Sequence, residues 1–106
     1  MTQRVAVGEI TRAYERVINA AHQRGIRVVI ATLTPHSVRP ADRAAINRWI
    51  RGHRHRVEGV LGFGELMQNP LAPSTWKQRY NAGDQTHPNA LGMQAMADYV
   101  PLSVFR

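Results

Sequence analysis

Gly25-Ile26-Arg27-Val28-Val29-Ile30-Ala31-Thr32 decides the fold class of this chain. The run after the glycine is short, β-branched and almost continuously apolar, which suits a strand buried on both faces of a parallel sheet. Upstream, Gly8 to Arg24 has helical periodicity. Ile10, Ala13, Tyr14, Val17, Ile18 and Ala21 repeat on one face, with Glu9, Arg12, Glu15, Arg16 and Gln23 on the other. Gly25 is placed to end this helix in the left-handed conformation. Helix, single glycine and buried strand make half of a βαβ unit. The expected class is therefore α/β with parallel strands and helices on the sheet faces.

Downstream of the strand, Leu33 to Pro40 reads as a loop. Pro40 and Asp42 open a second helix that runs to about Arg51, with Ala45, Ile46, Trp49 and Ile50 apolar and Gly52 at its end. Trp49 is expected in the core, and Asn47, embedded in this helix, is expected to be structural. Val57 to Phe63 reads as a second strand weakened by Gly59 and Gly62. Gly64 to Gln68 suits a helical turn, and Asn69 to Ala82, with its Asn-Pro and Ala-Pro steps and isolated Trp76 and Tyr80, reads as irregular. Asn89 is placed to cap a last helix reaching about Val100, with Leu91, Ala95, Met96 and Tyr99 as its buried face.

The 106 residues, 43% hydrophobic and 20% charged, fit one globular domain rather than a disordered chain. No apolar run is long enough to cross a bilayer and there is no signal-peptide pattern, so the default compartment is the cytoplasm. Without cysteine there is no disulfide and no thiolate nucleophile. The net charge is +7 and 13 of the 14 basic residues are arginine, Lys77 being the exception. Such a balance favours anionic partners. The densest cluster, Arg51 to Arg56 with His53 and His55, offers a possible polyanion-binding module, but no nucleic-acid motif surrounds it and a solvated turn is the plainer reading. His53 and His55 would share one side of a strand. With no cysteine or nearby carboxylate to complete a site, neither a metal nor any other cofactor is expected.

The chemistry concentrates in Gly83-Asp84-Gln85-Thr86-His87-Pro88-Asn89-Ala90-Leu91-Gly92. A turn of this composition can fold the Asp84 carboxylate onto one nitrogen of His87. The other nitrogen is then free to act as a base toward an incoming nucleophile. The chain holds three serines, and Ser37 and Ser74 are the candidate nucleophiles, although each also reads as an ordinary loop residue. Ser37 and His36 lie in the loop after the first strand, at the sheet end where α/β folds place their sites. Trp76 and Tyr80 either wall a substrate pocket with His36 or simply pin the long loop.

Three stretches carry a family resemblance. Ala20 to Pro35, Ala44 to Arg51, and above all Gly83 to Gly92 resemble the C-terminal half of an SGNH (GDSL-type) hydrolase, whose last block reads Asp-x-x-His-Pro-Asn-x-x-Gly. The resemblance extends from about Glu9 to Phe105. It implies a three-layer α/β/α sandwich, present here in part as a single truncated domain over residues 1–106, a flavodoxin-like half. It implies a carboxylic-ester hydrolase acting on a small ester, with His87 as general base and Asp84 as its orienting carboxylate. The family's Gly-Asp-Ser block and its Gly and Asn oxyanion blocks do not occur in these residues. The nucleophile is therefore missing or supplied by another residue or chain, and an inactive fragment that folds by self-association is the alternative. A sheet with so few strands leaves an apolar edge open, so a homo-oligomer, a swapped dimer or a complex with a complementary polypeptide is expected.

Overall fold

The computed structural model describes residues 5–105. It shows a mixed α/β domain whose first half follows the periodicity of the sequence. Helix α1, Val7–Gln23, ends in a Schellman motif. Gly25, at φ 71°, donates to the His22 carbonyl, and Ile26 donates to that of Ala21. The chain then enters β1, Val29–Ala31. Helix α2, Pro40–Gly52, starts at a proline after Arg39, which sits in the left-handed region at φ 52°. Strand β2, Gly59–Leu61, pairs parallel with β1 in the register Val29–Gly59, Ile30–Val60 and Ala31–Leu61. The β1–α2–β2 order is thus the parallel crossover that the sequence called for.

Both strands are shorter than expected. Val28 donates to the Glu58 carboxylate instead of a backbone carbonyl, which ends regular pairing at the start of β1. At the other end, the Leu33 N–H and C=O are both taken by the side-chain amide of Asn47, at 2.7 and 3.1 Å. Asn47 is thus structural in a specific way: a buried helix residue caps the strand end. Gly64 completes the arrangement. Its N–H donates to Thr32 Oγ1 at 2.8 Å, and a Cβ at this position would lie 2.4 Å from the Leu33 carbonyl oxygen.

The second half departs from the expected irregular loop. After the short helix α3, Phe63–Met67, strands β3, Gln68–Asn69, and β4, Ala72–Trp76, form an antiparallel hairpin. Its turn is Asn69-Pro70-Leu71, with Asn69 Oδ1 accepting from Leu71 N–H. An asparagine that accepts from the residue two positions on makes an Asx turn, and the prolines that argued against a strand sit at the hairpin tip and edge, where no ladder N–H is lost. A 3-10 turn, Gln78–Tyr80, leads toward α4, Ala90–Tyr99, which Asn89 caps by accepting from Gly92 N–H at 2.8 Å.

The apolar core is small: Ile18, Ile46, Ile50, Met67 and Trp76 are the buried hydrophobic residues. Trp49 is only half-buried, lying between Tyr14 of α1 and His53. His53 and His55 are not on a strand. His53 caps α2 and His55 lies within a 3-10 turn, Arg54–Arg56, with their rings 6.2 Å apart, because α2 runs on through Gly52. The expected buried face of α4 is also corrected. Leu91 and Tyr99 are 57% and 45% exposed, while Ala95 and Met96 are half-buried and the Tyr99 ring lies 6.1 Å from that of Phe63 on α3, so this face is covered only in part. No helix among the described residues is long and apolar enough to cross a membrane.

A candidate Asp–His site

The loop from Asn81 to Asn89 is built almost wholly from side-chain-to-backbone bonds. Asn81 Oδ1 accepts from the N–H groups of Gly83 and Gln85, at 2.9 and 3.1 Å. This lets Gln85 occupy the left-handed region at φ 59°, a conformation that costs a non-glycine residue roughly 1 kcal/mol unless held. Asp84 Oδ1 accepts from Thr86 and His87 N–H groups, each at 3.0 Å. Asp84 Oδ2 faces His87 Nδ1 at 2.6 Å. The loop closes where Ala82 N–H donates to the His87 carbonyl and Asn89 N–H donates to that of Tyr80.

These bonds set the electrostatics. The His87 side chain, followed by the two backbone donors, lowers the Asp84 carboxyl from 3.8 to about 2. Asp84 is therefore an anion at neutral pH and can only accept, so the proton on Nδ1 belongs to His87. In the neutral ring the lone pair then sits on Nε2, which is the arrangement a general base needs. The pair is open to solvent, with the His87 and Asp84 side chains 70% and 50% exposed.

The remaining candidates fall in different places. Trp76 is only 2% exposed, so it does not wall a solvent-facing pocket. It pins the loop, which was the other reading of this residue. Its Nε1–H donates to the Pro35 carbonyl at 2.9 Å, and its backbone N–H donates to Gln85 Oε1 at 3.0 Å. Trp76 thus ties the segment bearing His36 and Ser37 to the loop bearing Asp84 and His87. His36 lines a hollow of about 320 Å³ with Leu33, Val38 and Ile46, and its Nδ1 accepts from Val38 N–H. Tyr80 is half-buried beneath the Lys77 and Arg79 cations, and its carbonyl lies against Gly92. Ser37 is exposed and Ser74 is half-buried on β4. Among the described residues neither serine hydrogen-bonds to His87.

Asn81 and Gln85 hold the site and were not singled out from sequence. The signal for Asn81 was present: an asparagine before Ala-Gly-Asp is a side chain poised to bond its own turn. Gln85 left no such trace, because its partner is nine residues away on β4. The basic cluster is partly consumed internally, Arg51 by Glu65 and Arg56 by Asn19. Among the described residues no group of three His, Cys, Asp or Glu side chains is placed to hold a metal. No protein-family model matches this chain, and no curated protein sequence matches it significantly.

Proposed function

We propose that the chain carries the acid–base part of a carboxylic-ester hydrolase of the SGNH type, built on part of a three-layer α/β/α sandwich and acting on small esters in the cytoplasm. The observation that carries this reading is the 2.6 Å contact between Asp84 Oδ2 and His87 Nδ1, with the carboxylate held by two further backbone donors. In this reading His87 Nε2 removes the proton from an attacking hydroxyl as it adds to the ester carbonyl. Asp84 stabilises the imidazolium that forms, and His87 then returns the proton to the leaving alcohol. The hydroxyl comes from another residue, another chain or water.

A second reading rests on the same carboxylate. Asp84 Oδ1 holds the turn by accepting from Thr86 and His87, so the pair also works as a purely architectural cap. Hydrolysis of p-nitrophenyl acetate separates the two. The catalytic reading expects saturable turnover that His87→Ala abolishes and Asp84→Asn lowers roughly 10²- to 10⁴-fold, because the amide no longer selects the Nδ1–H tautomer. Loss of turnover in a Ser37→Ala/Ser74→Ala/Ser103→Ala variant would assign the hydroxyl to this chain. Turnover no faster than that of free imidazole, and unchanged by His87→Ala, would leave only the architectural role.

A further inference from the structure

The parallel sheet is open along β1. Thr32 N–H donates to the Leu61 carbonyl, so Thr32 faces β2, and in a parallel ladder alternate residues face alternate sides. The backbone groups of Val29 and Ala31 therefore point away from β2, and among the described residues no strand pairs with them. Natural edges are usually blunted by a charge, a proline or a bulge. Val29-Ile30-Ala31 carries none of these. Beside the edge, Tyr14, Val17 and Ile18 of α1 form an apolar groove with Val28, Val29 and Ile30, of about 300 Å³. Its rim is exposed apolar surface: Val17 is 64% exposed, Ile26 55% and Val29 38%.

The size of the missing cover can be judged from the whole chain. Its accessible surface is 7036 Å², whereas a folded monomer of 11.9 kDa has about 6,000 Å². Its radius of gyration is 14.7 Å against about 13 Å for a self-contained domain of this length. The surplus of roughly 1,000 Å² is of the order of the ~800 Å² that each partner buries in a standard interface, and the exposed Val17, Ile26 and Val29 side chains contribute part of it.

We propose that the occupant of this edge is a second copy of the chain, paired antiparallel through β1 about a two-fold axis at Ile30. This register sets Val29 opposite the partner's Ala31, so that each exchanges both outward-facing backbone bonds, and it repeats the exchange on the other side of the axis. The result is a continuous four-stranded sheet, with the α1 grooves of the two copies meeting across the axis. The net charge of +7 does not oppose the pairing locally. Arg27 faces the partner's Leu33, and the two Arg27 side chains start six residues apart along the strands, roughly 20 Å, beyond the ~8 Å screening length at physiological salt. The interface is isologous and closes on itself, so it yields a dimer and no filament.

The test is light scattering coupled to size exclusion, from the millimolar to the low micromolar range, on the wild-type chain, Val17→Asp and Val29→Pro. The expected result is a wild-type mass of twice 11.9 kDa that falls toward the single-chain value on dilution, and single-chain mass for both variants with unchanged far-UV circular dichroism. Proline at Val29 removes only an outward N–H. If Val29→Pro nevertheless unfolds, Val17→Asp decides alone, since Val17 is already mostly exposed. Amide exchange reads the register: Val29 and Ala31 should be protected in the dimer and exchange faster on dilution, with Ile30 and Thr32 unaffected. A wild-type chain that stays monomeric throughout overturns the proposal. So does a dimer that persists in Val17→Asp, or protection of Val29 and Ala31 that ignores concentration.

Discussion

Replacing Asn89 tests whether the Asp84–His87 geometry depends on how its loop is closed. The Asn89 side chain makes three bonds. Oδ1 accepts from Gly92 N–H at 2.8 Å, and Nδ2 donates to the carbonyls of Arg79 and Asn81 at 2.9 and 3.2 Å. Loss of the helix cap alone costs about 1 kcal/mol. Each lost amide-to-carbonyl bond adds roughly 0.5–1 kcal/mol, at the low end because both carbonyls can regain water. Asn89→Ala should therefore lose about 2–3 kcal/mol, a large share of the roughly 5–15 kcal/mol that a small domain has. Asn89→Ser keeps a cap acceptor but cannot reach the two carbonyls, so it should lose only about 1–2 kcal/mol. Urea unfolding followed by circular dichroism measures both. With a slope of about 1–3 kcal/mol per molar, the alanine midpoint should drop by roughly 1–2 M, with the serine midpoint between it and wild type. Any His87-dependent hydrolysis should fall in the same order under conditions where each variant remains folded. Equal midpoints for alanine and serine would mean that the cap to Gly92 contributes nothing, and a serine midpoint equal to that of wild type would mean that the bonds to Arg79 and Asn81 contribute nothing. Unfolding free energies within ~0.5 kcal/mol of wild type for both would refute the claim that Asn89 closes the loop.

Acid should release the loop in a defined window. The Asp84 carboxyl is depressed in the folded state, so its contribution is complete above its unfolded value of 3.8 and is lost as the pH falls toward about 2. Loop amide shifts should report this transition, and Asp84→Asn should abolish it. Trp76→Phe removes the donor to the Pro35 carbonyl in a buried setting and should cost about 1–3 kcal/mol in urea unfolding, together with faster amide exchange across residues 34–38. Gly64→Ala forces a Cβ to within 2.4 Å of the Leu33 carbonyl oxygen, a backbone atom with little room to move. It should destabilise by at least about 1–3 kcal/mol, visible as a lowered melting temperature, with Gly52→Ala, which meets open space, as the neutral control.

What the sequence determined by itself was local. The helical period of α1 with Gly25 behind it, the proline that opens α2, the asparagine that caps α4 and the Asp84-to-His87 spacing all depend on interactions spanning about five residues or fewer, and each is legible without a fold. The Asp–His contact belongs to this class in its spacing, because three residues separate carboxylate and imidazole and a turn between them brings the two together. The tertiary structure decided matters that join distant positions. Asn47 reads as a helix residue until Leu33, fourteen positions earlier, is seen to need both of its polar backbone groups satisfied. Gly64 reads as the start of a helical turn until the Leu33 carbonyl is found against it. The β3–β4 hairpin was hidden by its prolines, whose missing donors cost nothing at an edge that the sequence does not reveal. Trp76 read either as a pocket wall or as a pin for the long loop, and its burial and its bond to Pro35 favour the pin. Periodicity and turn chemistry act over one or two turns of chain, whereas burial and the pairing of buried polar groups depend on which remote segment arrives beside them.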